Sequence, residues 1–399
     1  MVNLSYDNQS EGDRSDYVAR LVNLCTRRQE IIARILQALA SEREDVWALE
    51  QLFNLAATFA EQGVGKAGRA VRRRYYRPAS EHADWCGADA VIRVYGLRGL
   101  MVIANARGRA MAENSDDHED SFLVDGFQRS HPEINVREQL AKAATSNEYI
   151  SKYLDEVERS RLLQSQRPKP PPTTYESVKA IVDSGRPRYV PPRRIGGLSA
   201  ADIQKLADDF LKETSLAKRE CYLNLFSKTK YPYDYRSIFL IAQGTVSRQN
   251  RLTEQACRAL RYSRADDIRR FAIEKLRRTN RPDVYLPLLT SNYREGDHLL
   301  LAEIAAKHQN EDTVHALACE YIDIYRVNQT RECRGPLEVL YEKLNCGMHR
   351  SDLLEILHDN GVLSEGVLRE MAFDSYQGVR FLHGNYSAQN EAQSVFAMK

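Results

Sequence analysis

Two short stretches carry side chains that could hold a metal or move a proton. Cys346-x-x-His349 has a spacing usable for tetrahedral zinc, with Cys333 and His358 as further donors along the chain. Cys333, however, stands beside Arg331 and Arg334, and no second close donor pair accompanies the first. The pattern therefore reads as core cysteines and a surface histidine, and no metal or other cofactor is expected. His118-Glu119-Asp120 offers acid–base groups, but it ends an acidic stretch, Glu113 to Asp120, that suits a solvated turn. Gly63-Val64-Gly65-Lys66-Ala67-Gly68 lacks the Gly-Lys-Ser/Thr spacing of a phosphate-cradling loop. With no nucleophile–base pair at recognisable spacing, no catalytic residue is assigned.

The remaining candidates point to binding. Lys66, Arg69, Arg72, Arg73, Arg74 and Arg77 fall together with no acid between Gly63 and Arg77. Arg69, Arg73 and Arg77 are four apart and share one helix face, with Tyr75 and Tyr76 beside them. Such a row suits a phosphate backbone, and equally a solvated face or the Glu113–Asp120 acids. Tyr231, Tyr233 and Tyr235 alternate around Pro232 and Asp234, with Tyr222 nearby. They suit stacking on a base or gripping a peptide, or packing a corner between helices. Arg270, Arg277 and Arg278 lie off an apolar stripe and complete the set of candidate macromolecule-binding residues.

The elements that must position these residues are helical. The 399-residue chain is 28% charged but carries a net charge of only +2, which excludes a uniformly basic nucleic-acid coat. No apolar run is long enough to cross a bilayer, so no membrane partner is expected. The polar, acidic start lacks a secretory pattern, and the seven scattered cysteines read as reduced thiols, which together imply a cytoplasmic location.

Five segments are expected. Residues 1–15 read as a disordered lead, and residues 16–164 as an N-terminal helical domain. In that domain apolar spacing predicts helices over 17–39, 46–60, 85–94 and 97–111, and a basic helix ending at Tyr76. Ser130-His131-Pro132-Glu133 reads as the start of two more, running to Leu163. Residues 165–197 hold seven prolines and seven basic residues and read as a linker with a short helix at 175–183. A domain of 198–385 follows, with helices over 199–213, 215–227, 233–243, 248–261, 264–278, 283–293, 296–307, 310–325, 334–345, 349–359 and 364–373. Residues 386–399 read as a flexible tail.

Asp267-Ile268-Arg269, then Ala272 and Leu276, resembles the second helix of a HEAT repeat. Leu252 to Leu260 suits the first helix of that unit, and Arg281-Pro282-Asp283-Val284-Tyr285-Leu286-Pro287-Leu288-Leu289 is similar to the next first helix. The match is close over 248–289, loose onward to Phe381, and looser at Lys66–Tyr75 and Val136–Ala144. The resemblance implies an all-α superhelix, a HEAT-like solenoid, in two helical segments joined by the Pro/Arg-rich linker. It also implies that Arg269 bonds a neighbouring repeat. The function then expected is a non-catalytic scaffold or adaptor that binds another macromolecule, a protein foremost. Nucleic-acid binding is the alternative, because HEAT-like DNA-repair glycosylases use this fold; only Asp84 with Trp85 offers a comparable pair, Trp47 being the other tryptophan. A third arrangement places an unfamiliar enzyme in the N-terminal half and lets the array recruit its target.

Overall fold

The computed structural model describes residues 11–42, 45–76, 86–114, 118–167, 172–184, 195–247 and 251–397, with side chains from 14 to 388. Among these the chain is all-α, without a strand. It divides into two compact units, Met1–Lys169 with Ser375–Gln377, and Pro170–Asp374 with Gly378–Lys399. The hydrophobic clusters respect that division. One runs from Val178 to Val362, and three others lie between Val18 and Val157.

In the first unit the Val46–Glu61 helix is the hub. Its sequence is apolar around most of its circumference, so it is covered on several sides. The helices Glu11–Leu24, Arg28–Ser41, Gly65–Tyr75 and Ala88–Tyr95 all pack on it. The single helix expected over 17–39 is broken at Cys25–Arg27. Val22 and Ile32 share one core cluster, whereas a straight helix would hold residues ten apart at about 15 Å. The polar run Thr26–Glu30 is where the chain turns to bring them together.

Ser130 ends a helix instead of starting one. Phe122–Ser130 is helical, burying Val124 and Phe127, and His131 caps it with its ring stacked 4.1 Å from Phe127. The next helix, Val136–Ala144, starts from Asn135, whose side chain accepts a hydrogen bond from the Glu138 N–H at 3.2 Å. The Leu97–Glu113 and Glu148–Gln166 helices then cross closely at Gly108. A Cβ there would run into the Tyr149 backbone carbonyl.

The second unit stacks helices in sequence order. Leu216–Phe226, Leu252–Ala259, Pro282–Tyr285, Glu311–Val327 and Gly347–Asp359 each touch the next in that series. Between them run Arg236–Ala242, Asp266–Leu276, Asp297–Lys307 and Arg334–Lys343. Tyr175–Asp183, expected inside the linker, is built into this unit: Val178 and Val182 join its core, and the Tyr175 hydroxyl donates to Asp209 at 2.7 Å. The helix expected over 283–293 shortens to Pro282–Tyr285 and a 3₁₀ turn at Leu286–Leu289. Pro287 lacks the N–H that an α-helix would need there. The last helix, Gln377–Ala397, covers much of the expected tail.

Candidate functional site

The Asp266–Leu276 helix buries Ile268, Ala272 and Leu276, which fall at four-residue steps. Asp267 sits in its first turn, where a carboxylate meets the positive end of the helix dipole. It accepts the Tyr235 hydroxyl at 2.9 and 3.0 Å. Arg269 reaches the next helix of its row and pairs with Asp297, which is buried. The neighbour-bonding role expected of Arg269 is therefore what its geometry supports.

Beside that ion pair lies a cleft of about 570 Å³ between the Asp266–Leu276 and Asp297–Lys307 helices. Ile273, Leu276, Leu299, Leu300 and Ile304 give it apolar walls, and Arg277 and Lys307 place two cations on it against Glu303. Leu299 is 68% exposed, an unusual position for leucine on a packed helix. Arg270 stands two turns before Arg277 on the same helical side, and both are exposed. Arg278 is exposed and pairs with Glu274 at 3.3 Å. Of the expected basic residues in this unit, Arg277 is the one that lines the cleft.

The tyrosines are committed elsewhere. Tyr231 is buried, with its ring 4.9 Å from Phe226 and 5.9 Å from Phe210. The Tyr233 hydroxyl donates to Asp208 at 2.5 Å, and that bond raises the phenol above its usual range. Tyr235 does the same with Asp267. Rings continue from Tyr235 through Phe239 and Phe271 to Tyr285, each 5.5–6.2 Å from the next. These aromatic residues pack successive helices together, while Tyr233 and Tyr235 stay partly exposed.

A second set of charges crosses the stack. Arg261 donates to Asp323 at 2.7 Å and to Glu320 at 3.1 Å, with Arg258 3.9 Å from Glu320. Burial outweighs both guanidinium groups and raises the Glu320 carboxyl to about 7. The bonded partners Arg261 and Asp323 lie 62 positions apart, and no local pattern announces them.

In the first unit Lys66, Arg69, Arg72 and Arg73 are all exposed on the Gly65–Tyr75 helix, and none forms an ion pair among the described residues. Lys66 and Arg73 border a hollow of about 320 Å³ against Leu36, Gln37 and Ala40. Arg74 turns inward and donates to the Leu39 and Glu42 carbonyls at 3.0 and 2.9 Å, capping the end of the Arg28–Ser41 helix. Arg77 and the Asp84–Trp85 pair lie outside the described residues. Trp47 is 45% exposed.

Among the described residues, the acids of the 113–120 stretch pair elsewhere. Glu113 pairs with Arg109, and Glu119 pairs with Arg107 in a cleft of about 760 Å³ that His118, Asp120 and Glu156 also line. Glu119 is largely buried rather than solvated, and burial holds its carboxyl above the usual range despite Arg107. His118 and Asp120 keep the exposed position expected of the turn, His118 3.5 Å from Glu156. Glu119, locked to a guanidinium, is a poor general base.

Cys333 is a core residue, and His358 stacks on Tyr386 at 3.6 Å. Neither approaches the Cys346–His349 pair in a donor cluster. A pair that sequence reasoning passed over does: His315 and Cys319, one turn apart on Glu311–Val327. The signal was His315-x-x-x-Cys319, legible only once its partner helix is known. Hydrogen bonds to sulfur, with Cys319 first and Cys346 second, raise the His349 imidazole to about 10. Comparison with protein families, with curated proteins and with solved structures finds no match to this chain.

Proposed function

We propose that the chain is a HEAT-like helical-repeat protein that binds a protein segment in the cleft between the Asp266–Leu276 and Asp297–Lys307 helices. The observation that carries this reading is Leu299, left 68% exposed beside Arg277 and Lys307 while Arg269 and Asp297 neutralise each other behind it. An apolar wall with a cationic rim suits a segment that carries aliphatic and acidic side chains. No catalytic role is assigned, because the buried charges in both units are consumed by structural pairs.

Panning a random peptide-display library against the intact chain tests the proposal. Enrichment of acidic, aliphatic peptides that is lost with Leu299→Asp supports it. Enrichment that survives Leu299→Asp, or no enrichment at all, removes it.

A second reading is nucleic-acid binding through Lys66, Arg69, Arg72 and Arg73, and it rests on their exposure without partners among the described residues. Its affinity for an oligonucleotide would fall steeply with salt, because each neutralised phosphate releases counterions.

A further inference from the structure

The Glu311–Val327 and Gly347–Asp359 helices pack against each other and bring two donor pairs together. His315 and Cys319 are four apart, so both face the same way from the first helix. His349 stands in the first turn of the second helix, and Cys346 caps that helix. The Cys319 Sγ lies 3.3 Å from His349 Nε2, and the His315 and His349 rings are 4.4 Å apart. The donor atoms of His315, Cys319 and His349 all fall within 4.8 Å of one another.

We propose that His315, Cys319 and His349 form a binding site for a zinc-class divalent metal ion, with Cys346 orienting the His349 ring. Two imidazoles and a thiolate are the borderline-soft donors that zinc and cobalt prefer. Bonds of about 2.0–2.3 Å in a tetrahedron place neighbouring donors about 3.3–3.6 Å apart. The Cys319–His349 separation already meets that, and side-chain rotation of His315 closes the triangle. The Cys346 Sγ is 3.2 Å from His349 Nδ1, on the far side of the ring. It accepts the Nδ1–H and so leaves Nε2 as the ligating atom, the usual arrangement behind a metal-bound histidine. Cys319 is half-buried and His315 borders solvent, so an ion has a way in and a water completes the fourth position. On binding, Cys319 gives up its thiol proton to solvent, and His349 coordinates through Nε2 while keeping the Nδ1 proton. The ion would staple two helices that are neighbours in the stack, and the inference stands independently of the cleft proposed above.

The test uses the full-length chain, reduced and stripped of metal, titrated with Co²⁺. One equivalent should bring up tetrahedral d–d bands and a thiolate-to-cobalt charge-transfer band, and Zn²⁺ should bleach both. Cys319→Ser should lose the charge-transfer band while keeping wild-type helical circular dichroism, and His349→Asn should weaken uptake at least tenfold. Cys346→Ser should keep the band. No band in the wild type, or a band that survives Cys319→Ser and disappears with Cys346→Ser, would overturn the assignment. If Cys319→Ser loses helicity, Cys319→Asp keeps a ligand without sulfur; it must then bind Co²⁺ without the charge-transfer band, and retention of the band counts against the site.

Discussion

Replacing Glu320 by glutamine should flatten the pH dependence of stability around the Glu311–Val327 helix. The Glu320 side chain is 8% exposed and faces Arg261 and Arg258, yet burial raises its carboxyl from 4.5 to about 7. The folded state therefore holds this proton more tightly than the unfolded chain does. Its contribution to stability is fully present below pH 4.5 and is lost as pH rises through about 7. The interval between those values corresponds to about 3 kcal/mol at about 1.4 kcal/mol per pH unit. Glutamine keeps the shape and one acceptor, cannot ionise, and leaves Arg261 its 2.7 Å bond to Asp323. Backbone hydrogen exchange of the full chain reads this helix directly. Comparing the two proteins at the same pH cancels the intrinsic exchange rate. Glu320→Gln should gain protection over wild type between pH 5 and pH 8, approaching a hundredfold, as about 3 kcal/mol implies. A wild-type-to-variant ratio that stays the same at both pH values would refute the reasoning that burial governs Glu320.

Other perturbations follow from the same geometry. Arg269→Ala strands the buried Asp297 and should cost about 2–4 kcal/mol in urea unfolding, while Arg269→Met with Asp297→Leu should recover most of that loss. Gly108→Ala forces the Leu97–Glu113 and Glu148–Gln166 helices apart; circular dichroism should show a destabilisation of more than about 3 kcal/mol, because the clash is with backbone. Reversing Lys66, Arg69 and Arg73 to glutamate should leave thermal stability nearly unchanged, since none has an ion-pair partner among the described residues. If the nucleic-acid reading holds, fluorescence anisotropy should show the same triple variant losing oligonucleotide affinity and most of its salt dependence.

Much of the fold was legible because helix periodicity is local. Val46–Glu61 and Tyr175–Asp183 follow from their own apolar spacing and capping residues. Asp267 and Arg269 were legible for the same reason, as a first-turn acid and a long cation beside a buried stripe. What escaped depends on residues distant in sequence. Val22 and Ile32 form a helix break only because they meet in one cluster. Tyr233 and Tyr235 look available until Asp208 and Asp267, 25 and 32 residues away, accept their hydroxyls. Phe122–Ser130 is short, and its glycine at position 126 weakens the helical signal. The cleft and the His315–Cys319–His349 cluster need two helices laid side by side, and no spacing within one stretch encodes that.

The cleft beside Leu299 is proposed to grip an acidic, aliphatic protein segment. Its most direct test is calorimetric binding of a display-selected peptide to the full chain and to the Arg277→Glu, Lys307→Glu double variant. Both cations are exposed, so the variant should keep the wild-type melting temperature. Affinity should fall at least tenfold in the variant and be partly restored when the acidic residues of the peptide are changed to lysine. Unchanged affinity in a folded double variant would contradict it.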